Sequence, residues 1–299
     1  MTNTNYQYQP KQVDEIIVRP FLFEFPEDID PLWIPGHRVR GHFFNGISLT
    51  MPYLEPYLVK TMREAANHLD QPDLLQDIRG FNGQEASHYK CHRRLNTLLK
   101  ANGYPEFQQV EDGLDAAYKK LLKRNLRTRM AYSAGFECMT NGFTTWLINK
   151  RIQLFEGASP HITSFWLMHM VEETEHKTVA YDAYMAYSGK YLPRAIGVFH
   201  GSFHVIGWGV VGMFTALKKD GVLNTWQCIS EIIRLIGSLS WNVGPFLLRA
   251  LLPWHNPRGE ADPDWMKDWV KGHAKLNSGD ALPLVNTDDP NMPTPFSRQ

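Results

Sequence analysis

Cysteine is scarce in this 299-residue chain: Cys91, Cys138 and Cys228 lie far apart, with no CxxC pair. That excludes a disulfide framework and a thiolate zinc site, and it predicts a reducing compartment, the cytoplasm. Net charge is absent too, with 31 basic side chains against 31 acidic ones. A nucleic-acid binder working through bulk electrostatics would carry a basic surplus, so nucleic acid is not expected as a partner. Residues 1–20 hold Asp14 and Glu15 and no apolar run of signal-peptide length, so no such peptide is expected. The sequence lacks a glycine-rich phosphate loop and a nucleophile elbow, which leaves nucleotide dependence and serine hydrolysis without support. Strand-type alternation and internal repeats are missing as well.

What is present is apolar and helical. Hydrophobic residues at 43% and charged residues at 21% fit a folded globular chain, and 9 Trp with 11 Met predict large surfaces to bury. Pro20, Pro26, Pro31 and Pro35 punctuate an irregular N-terminal segment, residues 1–45. From Met51 the pattern turns helical. One helix spans Pro72–Lys100 and stops at Asn102-Gly103-Tyr104-Pro105. Others follow over Val110–Arg124 and Leu126–Phe155. The next is opened by Ser159 and Pro160 and closed by Ser188-Gly189. The expected organisation is a helical bundle over 46–190, an apolar helical extension over 191–275 and a disordered tail over 276–299. The class is all-α.

The core stripes of these helices carry ionisable side chains. Leu74, Ile78, Phe81, Glu85, His88, His92, Leu95 and Leu99 share one face; so do Ile162, Trp166, His169, Glu173, His176, Ala180 and Tyr184. Glu137 falls on the stripe of Met130, Ser133, Asn141 and Thr144, and Glu55 on that of Met51, Leu58 and Met62. Glu64 falls beside Arg63 and reads as solvated; Glu172 and Glu175 step off the stripe and read as exposed or as outer supports. A buried carboxylate costs several kcal/mol without compensation, so four inward glutamates need a shared counter-charge. Two divalent cations would supply it. Glu85-x-x-His88 and Glu173-x-x-His176, with one further Glu from each of two other helices, match the di-metal arrangement of four-helix bundles. The alternative is a hydrogen-bonded polar seam, and for His92 alone that is as good a reading as ligation.

The order Glu55, Glu85-x-x-His88, Glu137, His169-x-x-x-Glu173-x-x-His176 resembles the ferritin-like di-iron oxygenases. His169, four residues before the last motif, is similar to the third histidine of the p-aminobenzoate N-oxygenase branch. From about Ile34 to Tyr191 the chain also resembles a bacterial family of predicted metal-dependent hydrolases. The strings that carry this are Leu49-Thr50-Met51-Pro52-Tyr53-Leu54-Glu55, Gly83-Gln84-Glu85-Ala86-Ser87-His88 and Glu172-Glu173-Thr174-Glu175-His176. These resemblances imply a ferritin-like bundle with Glu55, Glu85, His88, Glu137, His169, Glu173 and His176 as metal ligands and His92 in support. Four carboxylates and three imidazoles without a thiolate favour two iron ions, or manganese, over zinc. The first expectation is a non-haem di-iron oxygenase using O2, with Glu85, Glu137 and Glu173 shifting between bridging and terminal modes; its electron donor is unknown. The alternative is a hydrolase using a metal-bridging hydroxide, and the third is a non-catalytic metal-binding protein.

Between Arg194 and Lys218 lie 23 uncharged residues, long enough to cross a bilayer if helical. Five glycines and His200 and His204 weaken that reading. Only 14 uncharged residues separate Arg234 from Arg249, too few for a span. Lys190 to Arg258 holds seven basic and two acidic residues. The segment is expected either to cover the bundle or a homodimer interface, or to touch the inner face of a membrane peripherally. Its apolar character points to a hydrophobic small-molecule or lipid-like substrate. His200-x-x-x-His204 has ligand spacing but no partner carboxylate nearby and reads as structural.

Overall fold

The computed structural model describes residues 4–9, 16–20, 23–277 and 280–297. They form α1 (Arg38–Ala66), α2 (Pro72–Ala101), α3 (Phe107–Leu122), α4 (Leu126–Asn149), α5 (Arg151–Phe155), α6 (Pro160–His176), α7 (Val179–Tyr187), α8 (Tyr191–Lys219), α9 (Trp226–Ala250) and α10 (Asp264–His273). The fold is an all-α bundle, as expected, and no strand occurs among the described residues. α1, α2, α4 and the α6–α7 pair surround the core, while α8 and α9 lie outside α1 and α4. Phe44 of α1 stands at one end of that core, its ring against Trp33, Trp146, Phe155 and Trp166.

Several boundaries differ from the sequence reading. α1 begins at Arg38, inside the segment expected to be irregular. Its first N–H groups are met by a residue distant in sequence: the Glu231 carboxylate accepts from Val39 N and Arg40 N, each at 3.2 Å. α1 then continues through Pro52 and Pro56. The helix expected over Leu126–Phe155 breaks at Lys150, and the one expected to run unbroken to Ser188 breaks at Lys177-Thr178, where neither glycine nor proline signals it. The tail expected to fray is seated. Val285 N donates to Ser164 Oγ at 2.8 Å, Thr287 Oγ1 to the Ala158 carbonyl at 2.7 Å, and Met292 is buried. Residues 278–279 and 298–299 of that tail lie outside the described residues.

Glycine sets how close α8 comes. A Cβ on Gly197 would stand 1.9 Å from the Ala131 carbonyl oxygen of α4, and one on Gly46 of α1 would stand 2.0 Å from the Gly209 oxygen. Among the described helices α8 alone is long and apolar enough to cross a membrane, and 44% of its apolar window is buried inside the fold.

Candidate metal centre

The sequence places Glu55 on α1, Glu85, His88 and His92 on α2, Glu137 on α4, and His169, Glu173 and His176 on α6. The structure brings all eight together. Glu85, Glu137, Glu173 and His176 each offer a ligand atom within 4.8 Å of the others; so do Glu55, Glu85 and His88, then His88, His169 and Glu173, then Glu55, His92 and His169. All are buried. Glu64 is elsewhere, half exposed and paired with Arg129. His204 contacts Tyr132 and Trp208 and, with His200, belongs to none of these groups.

Hydrogen bonds behind the imidazoles decide where their lone pairs point. Pro52 has no N–H, so the Ser48 carbonyl four residues earlier lacks its helical donor. Asn96 Nδ2 donates to it at 3.0 Å, which fixes the orientation of the amide. Asn96 Oδ1 therefore accepts from Ser48 Oγ at 2.7 Å, and Ser48 Oγ accepts from His92 Nδ1 at 2.8 Å. His92 Nε2 is left as acceptor for His169 Nδ1 at 3.0 Å. The relay ends with the His169 Nε2 lone pair directed at Glu173 Oε1, 2.9 Å away. His92 thus stands behind His169.

His176 is set in the same way. Gln84 Nε2 donates to the Ile17 carbonyl at 3.0 Å, so Gln84 Oε1 accepts from His176 Nδ1 at 2.8 Å. The Nε2 lone pair then faces Glu85 Oε1 at 3.2 Å and Glu173 Oε2 at 3.3 Å. His88 Nε2 donates to Glu172 Oε2 at 2.8 Å, and Glu172 Oε1 accepts from Arg19 Nη1 at 3.2 Å. That aims His88 Nδ1 inward, 3.7 Å from Glu173 Oε1. A histidine that gives its outer N–H to an anchored acceptor is the usual support of a metal ligand.

Arg19 holds two of these supports, since it also grips Glu175 at 2.6 and 2.7 Å, and Glu175 Oε2 accepts from Gln84 at 3.0 Å. It arrives on a strap, residues 16–20, that lies flat on α2 because Gly80 and Gly83 have no side chains. A Cβ there would stand 2.7 Å from Ile16 Cβ and 2.5 Å from Val18 Cγ2. Sequence reasoning missed Arg19, Gln84, Ser48 and Asn96. It left Glu172 as exposed or supporting, and the side chain is fully buried behind His88.

The donor set fits a cation. Both carboxylate oxygens of Glu55, Glu85 and Glu137 are buried with no hydrogen-bond donor, and imidazole lone pairs face the remaining carboxylate. Anionic oxygens and lone pairs at such distances require positive charge between them. Protons answer the same demand. Burial, reinforced by Glu173, pushes Glu85 up to about 7. Burial with the neighbouring carboxylates lifts Glu55 and Glu137 well above the carboxylate range. Burial would raise Glu173 also, but His176 and His169 hold it well below that range. Burial opposes charge on His176, yet Glu173 and Glu85 outweigh it and raise its pKa well above the imidazole value. Burial and His169 keep His88 and His92 neutral. Burial pushes the thiols of Cys91 and Cys138 up to about 12, so neither offers a thiolate.

An apolar pocket with about 30 Å³ of free space reaches this cluster. His169 and Glu173 are on its polar side; Met51, Phe136, Phe143 and Trp166 line its apolar side, together with Val205 and Ile206 of α8.

No curated protein and no solved structure matches the chain. The match found bears out the resemblance to predicted metal-dependent hydrolases and extends it beyond residues 34–191; it lends nothing to the oxygenase resemblances. With residues 17–261 matched by the family model described as "Predicted metal-dependent hydrolase", the chain belongs to that family.

Proposed function

We propose that this protein is a hydrolase of apolar substrates. Two divalent metal ions would be held by Glu55, Glu85, His88, Glu137, His169, Glu173 and His176, with His92 in support. One observation carries the reading: four buried glutamates converge with imidazole lone pairs that anchored amides and a carboxylate have turned toward them. Two charges of plus two balance four carboxylates. Ions bound there would polarise a substrate carbonyl or phosphoryl oxygen and make water nucleophilic at neutral pH. Oxygen-rich donors without a thiolate suit manganese or iron.

The chain's own residues do the rest. Glu173 belongs both to the cluster and to the pocket lining, so it would hold a metal ion at the face where the pocket meets the site. Met51, Phe136, Phe143 and Trp166 would give the apolar part of a substrate a surface to pack on and keep water from the reacting end. The test is hydrolysis of p-nitrophenyl esters of graded acyl length by protein loaded with Mn(II), Fe(II) or Zn(II). Activity should require metal, vanish with chelator and fall at least about 100-fold in Glu173→Gln. Metal-loaded protein that hydrolyses neither these esters nor the matching phosphate esters would overturn the reading.

The excess of carboxylates over imidazoles favours a second reading, O2-dependent oxidation by two irons. Anaerobic Fe(II) loading followed by O2 separates the two. O2 uptake with ferric absorption supports oxidation, and its absence in a protein that cleaves esters supports hydrolysis.

A further inference from the structure

α8 and α9 form an antiparallel hairpin that leaves one side of the molecule apolar. α8 packs on α4 through Gly197 and Gly201, and α9 packs there through Phe246 over Gly142. Arg194 ties the open ends, donating to the carbonyls of Ala250 and Leu252 at 2.6 and 2.7 Å. Ala131, Gly135, Gly142 and Trp146 of α4 lie on one helical face, so both helices sit on the same side of the bundle. Their outward surfaces expose Phe199, Phe203 and Phe214 on α8 and Ile233 and Ile236 on α9. Trp226, Trp241 and Trp254 are 78, 83 and 76% exposed. So large an apolar surface marks a docking site.

Charge says what docks. The two acids of the hairpin are turned inward: Asp220 accepts from Arg38, His42 and Tyr104, and Glu231 meets the N-terminus of α1. Every exposed charged residue from 190 to 252 is basic: Lys190, Lys218, Arg234 and Lys219, the last lying over Tyr104 and paired with Glu106. We propose that this face docks on an anionic lipid bilayer, with the phenylalanines and isoleucines below the headgroups, the tryptophans among them and Lys218 and Arg234 on the phosphates. Tryptophan favours that depth, and basic residues near an anionic surface add attraction. A second copy of the chain on the same face would bring one basic rim toward another, whereas anionic lipid supplies the missing sign. α8 does not span the bilayer; its glycine face is locked against α1 and α4. Val205 and Ile206 line the pocket from the inner side of α8, so the docked face and the pocket share one helix.

The experiment is cosedimentation of the full chain with vesicles of phosphatidylcholine alone and of phosphatidylcholine mixed equally with phosphatidylglycerol. Binding to the mixed vesicles is expected, with about fivefold weaker partition for each of Lys218→Ala and Arg234→Ala. Trp241→Ser with Phe203→Ser, both exposed and so harmless to the fold, should abolish it. Metal-chelated protein should bind equally, so failure of the hydrolase reading leaves this result untouched. Protein that stays in the supernatant, or that binds without regard to phosphatidylglycerol, overturns the proposal. So does a dimer in sedimentation velocity that Trp241→Ser dissociates while vesicles bind nothing.

Discussion

Asn96 donates to the Ser48 carbonyl, the one acceptor in α1 that Pro52 strips of its helical donor. A proline inside a helix, costly on its own, thereby fixes an amide. The amide fixes Ser48 and His92, and through them the tautomer of His169.

Breaking that relay should weaken metal binding without unfolding the protein. Asn96→Leu removes both the donor and the acceptor, leaving Ser48 and His92 free to turn. Metal affinity is expected to fall about 10- to 100-fold, read by competition with a chelating dye, while the circular dichroism spectrum stays unchanged. Affinity equal to wild type would show that His169 needs no orientation from behind.

Arg19 supports two ligands at once, His88 through Glu172 and His176 through Glu175 and Gln84. Arg19→Met takes from buried Glu172 its guanidinium partner. A loss of about 3–5 kcal/mol in stability is expected, visible in urea unfolding, together with weaker metal binding. Loss of stability alone, with metal affinity intact, would confine Arg19 to a structural role.

The pH dependence of the metal-free protein has a definite sign. Above the ordinary histidine value of about 6.5, His88 and His92 no longer titrate in either state. The clustered groups that remain are Glu85, at about 7, and Glu55, Glu137 and His176, all raised, and burial lifts Glu172 behind them to about 8. A raised group stabilises the fold while protonated and loses that contribution as pH climbs through its folded pKa. In chelator, Tm should therefore fall from pH 7 to pH 9. Metal replaces the protons of Glu55, Glu85, Glu137 and His176, so the Tm gain on adding Mn(II) should grow over the same interval. A metal-induced gain that shrinks with rising pH would contradict this assignment.

Gly197 tests the packing of α8. Its absent Cβ would overlap the Ala131 carbonyl, so Gly197→Ala must push two backbones apart. A loss of about 1–3 kcal/mol is expected, whereas Gly207→Ala, where a Cβ meets open space, should be neutral or stabilising. Equal effects at the two positions would contradict the close approach.

The site was legible where helical period could expose it. Glu85, His88, His169, Glu173 and His176 stand on stripes filled largely by Leu, Ile, Phe and Trp, and Glu137 on one of Met130, Ser133, Asn141 and Thr144; an inward charge there has few physical explanations. The same period puts Glu55 on the stripe and Glu64 off it, and the structure buries Glu55 and leaves Glu64 on the surface. The supports were not legible. Arg19 comes from an irregular strap, and Ser48 and Gln84 look like ordinary polar residues until their distant partners are known. The start of α1 depends on Glu231, nearly two hundred residues away, and the seated tail depends on Ser164 and Ala158. Contacts of that range leave no periodic trace.

The most direct test is metal content by elemental analysis of protein loaded with Mn(II) or Fe(II) and freed of loose ions. Two ions per chain are expected in the wild type and none held tightly in Glu85→Ala with Glu173→Ala. Two ions retained by that double variant, or none bound by the wild type, would contradict that expectation.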